Sequence, residues 1–97
     1  MIAGNFKTYE VIIANGAAGE LDLSTVYSTE ALIKINPGVD KIRLLITPKS
    51  SVVHAAVTDF LLNKDEISEF EVGPGLDRLS FWNASGGEAK VSVAVMF

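Results

Sequence analysis

The C-terminal stretch Ala89-Lys90-Val91-Ser92-Val93-Ala94-Val95-Met96-Phe97 places Val91, Val93, Val95 and Phe97 on one parity and Lys90, Ser92, Ala94 and Met96 on the other. Successive side chains of a β-strand point to opposite faces, so this spacing predicts a strand with one buried face. The same period of two recurs upstream. Tyr9, Val11 and Ile13 alternate with Thr8, Glu10 and Ile12 over 6–13, and Ala31, Ile33 and Ile35 with Leu32 and Lys34 over 31–35. Over 41–47, Ile42, Leu44 and Ile46 alternate with Lys41, Arg43, Leu45 and Thr47. Ser68, Phe70 and Val72 alternate with Glu69 and Glu71; Leu79 and Phe81 alternate with Ser80 and Trp82 over 78–83. Shorter strand-like stretches are read at 20–23, 52–57 and 60–62.

Turn residues punctuate these runs. Asn15-Gly16-Ala17-Ala18-Gly19, Asn36-Pro37-Gly38, Pro48-Lys49-Ser50-Ser51, Asn63-Lys64-Asp65, Gly73-Pro74-Gly75 and Ser85-Gly86-Gly87 each combine residues that preset φ or accept a positive φ. Parallel strands need crossover helices of about ten residues or more, and none is found between these runs. Many short strands divided by Gly and Pro turns predict an all-β protein: an antiparallel β-sandwich of seven or eight short strands, jelly-roll-like or Greek-key. With 97 residues the chain makes one domain, 1–97, in which 1–5 is expected to form an N-terminal arm.

Composition narrows the function classes. Eight Lys and Arg stand against twelve Asp and Glu, a net charge of −4, so no cluster of cations is available to release counterions from a phosphate backbone and nucleic acid is not an expected partner. No apolar run approaches the ~20 residues of a membrane-spanning helix, and Met1-Ile2-Ala3-Gly4-Asn5 lacks the basic and apolar regions of a secretory signal. The absence of cysteine points to a reducing compartment. The chain is 48% hydrophobic, more than one thin core accommodates, and surplus apolar surface on a small protein marks a partner surface.

Residues that carry chemistry are sparse. His54 is the single histidine and has no neighbouring cysteine or second histidine, so zinc chemistry is not expected. No Gly-x-Ser-x-Gly elbow is present. Asp65, Glu66, Glu69 and Glu71 read as a solvated strand face rather than as a carboxylate pair or a calcium loop. Gly73-Pro74-Gly75 is turn punctuation, and Asn83-Ala84-Ser85 is a sequon by chance. No catalytic, metal or cofactor-binding residue is nominated, and the chain is not expected to be an enzyme. The informative positions are apolar residues on nominally polar faces. Trp82 lies opposite Leu79 and Phe81, and Leu45 and Met96 break their strands in the same way. With Phe6, at the end of the N-terminal segment, these are the expected interface residues, since large apolar side chains anchor interfaces.

The segment 58–97 has a recognisable cadence. It runs Thr58-Asp59-Phe60-Leu61-Leu62-Asn63, then Glu69-Phe70-Glu71-Val72-Gly73-Pro74-Gly75-Leu76-Asp77-Arg78-Leu79-Ser80, then a glycine pair and a valine-rich final strand. It resembles the small β-sandwich capsid decoration (cement) proteins of tailed bacteriophages. The resemblance implies a virion structural protein, made in the host cytoplasm and placed on the outer capsid surface. Its implied partners are the major capsid protein and further copies of itself, a homotrimer being favoured. Two alternatives stand beside it: a carbohydrate-binding β-sandwich module using Trp82 with Tyr9 or Tyr27 as a stacking platform, and a phage tail or baseplate component.

Overall fold

The computed structural model describes residues 4–97. Eight strands form: β1 (Phe6–Ile13), β2 (Ala17–Asp22), β3 (Ala31–Asn36), β4 (Ile42–Thr47), β5 (Phe60–Leu62), β6 (Ser68–Val72), β7 (Arg78–Asn83) and β8 (Ala89–Met96). They make two four-stranded sheets of order β1-β8-β3-β6 and β2-β7-β4-β5, with every neighbouring pair antiparallel. The pairs β1–β8, β2–β7, β3–β6 and β4–β5 mean that the chain doubles back on itself between β4 and β5. The resulting long ribbon is rolled until β8 meets β3 and β7 meets β4. That is the jelly-roll arrangement of the β-sandwich, the class that the period of two predicts.

The inward parity of each strand builds the core. Val11, Ile13, Ile33, Ile35, Val91, Val93 and Val95 come from the first sheet, and Ile42, Leu44, Leu62, Leu79 and Phe81 from the second. Where the two sheets approach at the β1/β2 side, a side chain on β2 has no room. A Cβ on Gly19 would lie 2.7 Å from Ile13 Cγ1 and 3.4 Å from Val11 Cγ1. The sequence pattern assigns Gly19 to a turn, but here it is a strand residue whose missing side chain admits Ile13. Gly19→Ala is accordingly expected to destabilise the fold by about 1–3 kcal/mol through overpacking, read as a lower urea midpoint. The reversal itself is confined to Asn15-Gly16, with Gly16 at φ 69°.

The same end of the sandwich is tied by Asn83, which pairs with Ala17 of β2. Its Nδ2 donates to Ile13 O at 2.9 Å and Gly87 O at 2.8 Å, while its Oδ1 accepts from Ser85 N at 2.9 Å. The side chain is fully buried. Both amide hydrogens are engaged, so this sequon offers no acceptor nitrogen in the folded state. Of the stretch 1–5 expected as an arm, residues 1–3 lie outside the described residues. Asn5 exchanges backbone hydrogen bonds with Phe97, at 2.9 and 3.0 Å, and so prolongs the β1–β8 ladder.

The expectation of a strand at 52–57 is not met. Residues 48–59 form no ladder; they pass as an irregular strap over the outside of the second sheet. Val52-Val53-His54-Ala55-Ala56-Val57 is apolar without alternating, and only Ala55 is buried, so no sheet face is formed by it.

Candidate functional site

Outward side chains fall into rows fixed by strand register. On the first sheet one row runs Phe6, Met96, Leu32, Glu71, the next Thr8, Ala94, Lys34, Glu69, and a third Glu10, Ser92, Asn36. The apolar end of this face, Phe6 with Met96 and Leu32, adjoins the cross-strand ion pair Lys34–Glu69 at 3.3 Å. A groove of about 780 Å³ runs across this face, lined by Phe6 and Met96 at one end, by Thr8, Ala94 and Lys34 in its middle, and by Asn36 and Ile67 at the other end. Phe6 is 60% exposed and Ile67 62%.

The outward face of the second sheet carries Trp82 beside Ala18 and Arg43, Ser80 beside Glu20 and Leu45, and Arg78 beside Asp22 and Thr47. The strap covers the middle of it, and a polar network holds the strap down. Arg78 donates from Nε to Thr47 Oγ1 at 3.0 Å, from Nη1 to Ser51 O at 2.7 Å, and from Nη2 to Val53 O. Ala55 N donates to Ser80 Oγ at 2.7 Å, and Ser80 Oγ donates to Glu20 Oε1 at 2.9 Å. The same carboxylate meets His54 Nδ1 at 2.5 Å and Arg78 Nε at 3.5 Å. Arg78 and Ser80 are thereby buried on what is nominally a solvent face, each with partners, as buried polar groups require.

Serine, histidine and glutamate thus meet, but not in the order that activates a nucleophile. Activation requires a base on the hydroxyl and an acid orienting that base. Here Glu20 contacts both Ser80 and His54, and the Ser80 hydroxyl is fully buried under the strap. The arrangement fastens a loop. Inside the sandwich the fully buried side chains are aliphatic or aromatic apart from Asn83, and among the described residues no three His, Cys, Asp or Glu side chains converge on one point.

The four expected interface residues are divided between opposite faces. Phe6 and Met96 are direct cross-strand partners on the first sheet. Leu45 and Trp82 lie on the second sheet, and both are half-buried. The chain therefore uses part of its surplus apolar surface itself, under the strap. What sequence reasoning missed is the strap's own outer surface, where Val52 is 86% exposed and Val53 and Val57 stand out beside it. The missing alternation over 52–57 was the signal available.

The aromatic residues of the sugar-platform alternative do not share a face. Tyr9 packs against the core from β1, Trp82 lies outside the second sheet, and Tyr27 is buried. Tyr27 instead ties the β2–β3 connection down, its hydroxyl donating to Leu76 O at 2.5 Å. Burial, with Asp77 nearby, holds the phenol above its ordinary pKa. A raised folded-state pKa gives stability that is complete below the unfolded value and lost as pH rises through the folded one. Stability should therefore fall above about pH 10. Tyr27→Phe is expected to cost about 1 kcal/mol near neutrality and to flatten that alkaline limb, measured by urea titrations across pH.

No protein-family model matches the chain, and no curated protein matches it. Solved structures do. A Cupin_2 domain of an XRE-family transcriptional regulator from Enterobacter cloacae superposes with a TM-score of 0.61 at 13% identity, over 95% of this chain and 81% of that one. A subunit of Bacillus endospore appendages, described as disulfide-linked pili, superposes with a TM-score of 0.52 at 11% identity, over 98% and 89%. At these identities the likeness is one of fold. Disulfide linkage cannot extend to this chain, which has no cysteine.

Proposed function

We propose that the protein is a virion structural subunit, a capsid decoration protein that binds the outer head shell and stabilises contacts between major capsid subunits. The observation that carries this reading is the apolar end of an outer sheet face, where the exposed ring of Phe6 adjoins the half-buried side chains of Met96 and Leu32. An apolar patch rimmed by polar and charged residues is the form a protein-binding surface takes. The resemblance of 58–97 to phage decoration proteins supplies the partner class. Many copies on one shell would add avidity to individually modest contacts.

Co-sedimentation with purified shells assembled without this protein tests the proposal. The wild type is expected to pellet with the shells. Met96→Glu, which places a charge in the groove, is expected to weaken attachment about 30-fold, the loss of one interface anchor. Val53→Glu, on the strap of the opposite face, is expected to attach like the wild type. A wild-type protein that stays in the supernatant, or a Met96→Glu variant that binds normally, would overturn it.

A further inference from the structure

We infer that β1 is a self-complementary edge, through which two copies of this chain join their first sheets into one eight-stranded sheet about a two-fold axis at Tyr9. The inference concerns the free edge of β1 and does not rest on shell attachment, although Phe6 belongs to both surfaces, and it begins with the direction of the peptide groups. In an antiparallel ladder, directly opposite residues alternate between pairs that exchange both backbone bonds and pairs that exchange none. Asn5 and Phe97 exchange both. In the observed register the bonded pairs after them are Lys7–Val95, Tyr9–Val93, Val11–Val91 and Ile13–Ala89. The N–H and C=O groups of Phe6, Thr8, Glu10 and Ile12 therefore point away from β8, off the sheet's free edge. Among the described residues no strand pairs with that edge.

An exposed run of this kind is a template for another strand, and proteins that stay monomeric blunt it with proline, bulges, short length or charge. Here β1 runs eight residues, is paired without interruption, and contains no proline. It also exposes two large apolar side chains, Phe6 at 60% and Ile12 at 58%.

Side-chain pairing selects the occupant and the register. With a second copy centred on Tyr9, Phe6 faces the other copy's Ile12, Thr8 faces Glu10, and Tyr9 faces Tyr9. Cross-strand apolar and aromatic pairs are favourable, and no like charges are opposed. Sliding one strand by two residues in one direction sets Glu10 against Glu10; sliding it in the other sets Phe6 against Glu10. The Tyr9-centred register covers both exposed apolar residues at once and closes about eight interchain backbone bonds. The other edges lack this match. On β6, a two-fold pairing opposes Glu69 and Glu71 with one another; β5 is three residues long; and on β2 Glu20 is committed to the strap. Because the contact is isologous it closes at two copies, in place of the trimer expected from the resemblance.

Light scattering across a dilution series, with four single variants, tests edge and register together. Thr8 is exposed, so its substitution leaves the core intact, which circular dichroism verifies. The wild type is expected at twice the monomer mass. Thr8→Glu opposes Glu10 twice per dimer and is expected to weaken association about tenfold, whereas Thr8→Lys is expected to tighten it by a similar factor. In this cysteine-free chain, oxidised Tyr9→Cys should give a covalent dimer, because the two-fold pair lies within disulfide reach. Thr8→Cys should not, its copies being displaced diagonally beyond that reach. A wild type that is monomeric throughout the series, a trimeric mass, Thr8 variants that associate alike, or cross-linking through Thr8→Cys in preference to Tyr9→Cys would each overturn the inference.

Discussion

Replacing Phe81 by alanine is expected to cost about 3–5 kcal/mol, the range for removing an aromatic ring from a core that relaxes only in part. Phe81 is fully buried and sits mid-sheet, opposite Gly19 on β2 and Leu44 on β4, with its ring directed at the first sheet. Domains of this size are stable by about 5–15 kcal/mol, so the variant should lie at the margin of folding at physiological temperature. Urea unfolding followed by Trp82 fluorescence measures it: the midpoint should fall with little change of slope. Phe81→Leu keeps most of the volume and is expected to lose less than about 1.5 kcal/mol. If both variants unfold at the wild-type midpoint, the ring is not the centre of the core.

The role of Phe81 was legible because it rests on local pattern. Leu79 and Phe81 alternate with Ser80 and Trp82, and so do the inward residues of β1, β3, β4, β6 and β8, whose bounds fall within a residue of those the alternation marks. A period of two is a property of neighbouring residues and survives in a string of letters. Sheet order is not such a property. That β8 lies between β1 and β3 depends on pairings such as Phe6 with Met96, ninety positions apart, which no local spacing records. The same distance hid the site. Met96 was identifiable as an apolar residue on a polar face and Phe6 as the end of the N-terminal segment, but only the register makes them neighbours. Leu45 and Trp82 carry the same mark, yet they lie on the opposite sheet and are half-buried there. The apolar excess seen in composition is thus divided between side chains covered by the strap and side chains left exposed, and that division is set by tertiary structure.

The strap is also where the second large effect is expected. Arg78→Met should cost about 2–4 kcal/mol, although Arg78 lies on the nominally outer face of β7. Its guanidinium supplies the donors for Thr47 Oγ1, Ser51 O and Val53 O and stands 3.5 Å from Glu20. Methionine matches the stem of the side chain but donates nothing, so the two strap carbonyls must either find water or leave the sheet. Arg78→Lys should recover only part of the loss, because one ammonium cannot reproduce a planar fork that serves acceptors on β4 and the strap together. Hydrogen exchange separates release of the strap from general unfolding. The Ala55 amide, which donates to Ser80 Oγ, should lose its protection in Arg78→Met, while the amides of β8, an inner strand of the first sheet, keep theirs. Unchanged protection at Ala55 would mean that packing of the strap, not this cation, holds it. The network also decides what the second face presents. With Arg78 in place the backbone of 51–55 is pinned by its carbonyls, and the side chains of Val52 and Val53 are turned to solvent. Once the strap is released, Leu45 and Ser80 become the surface instead, so the apolar character of this face depends on a single buried cation.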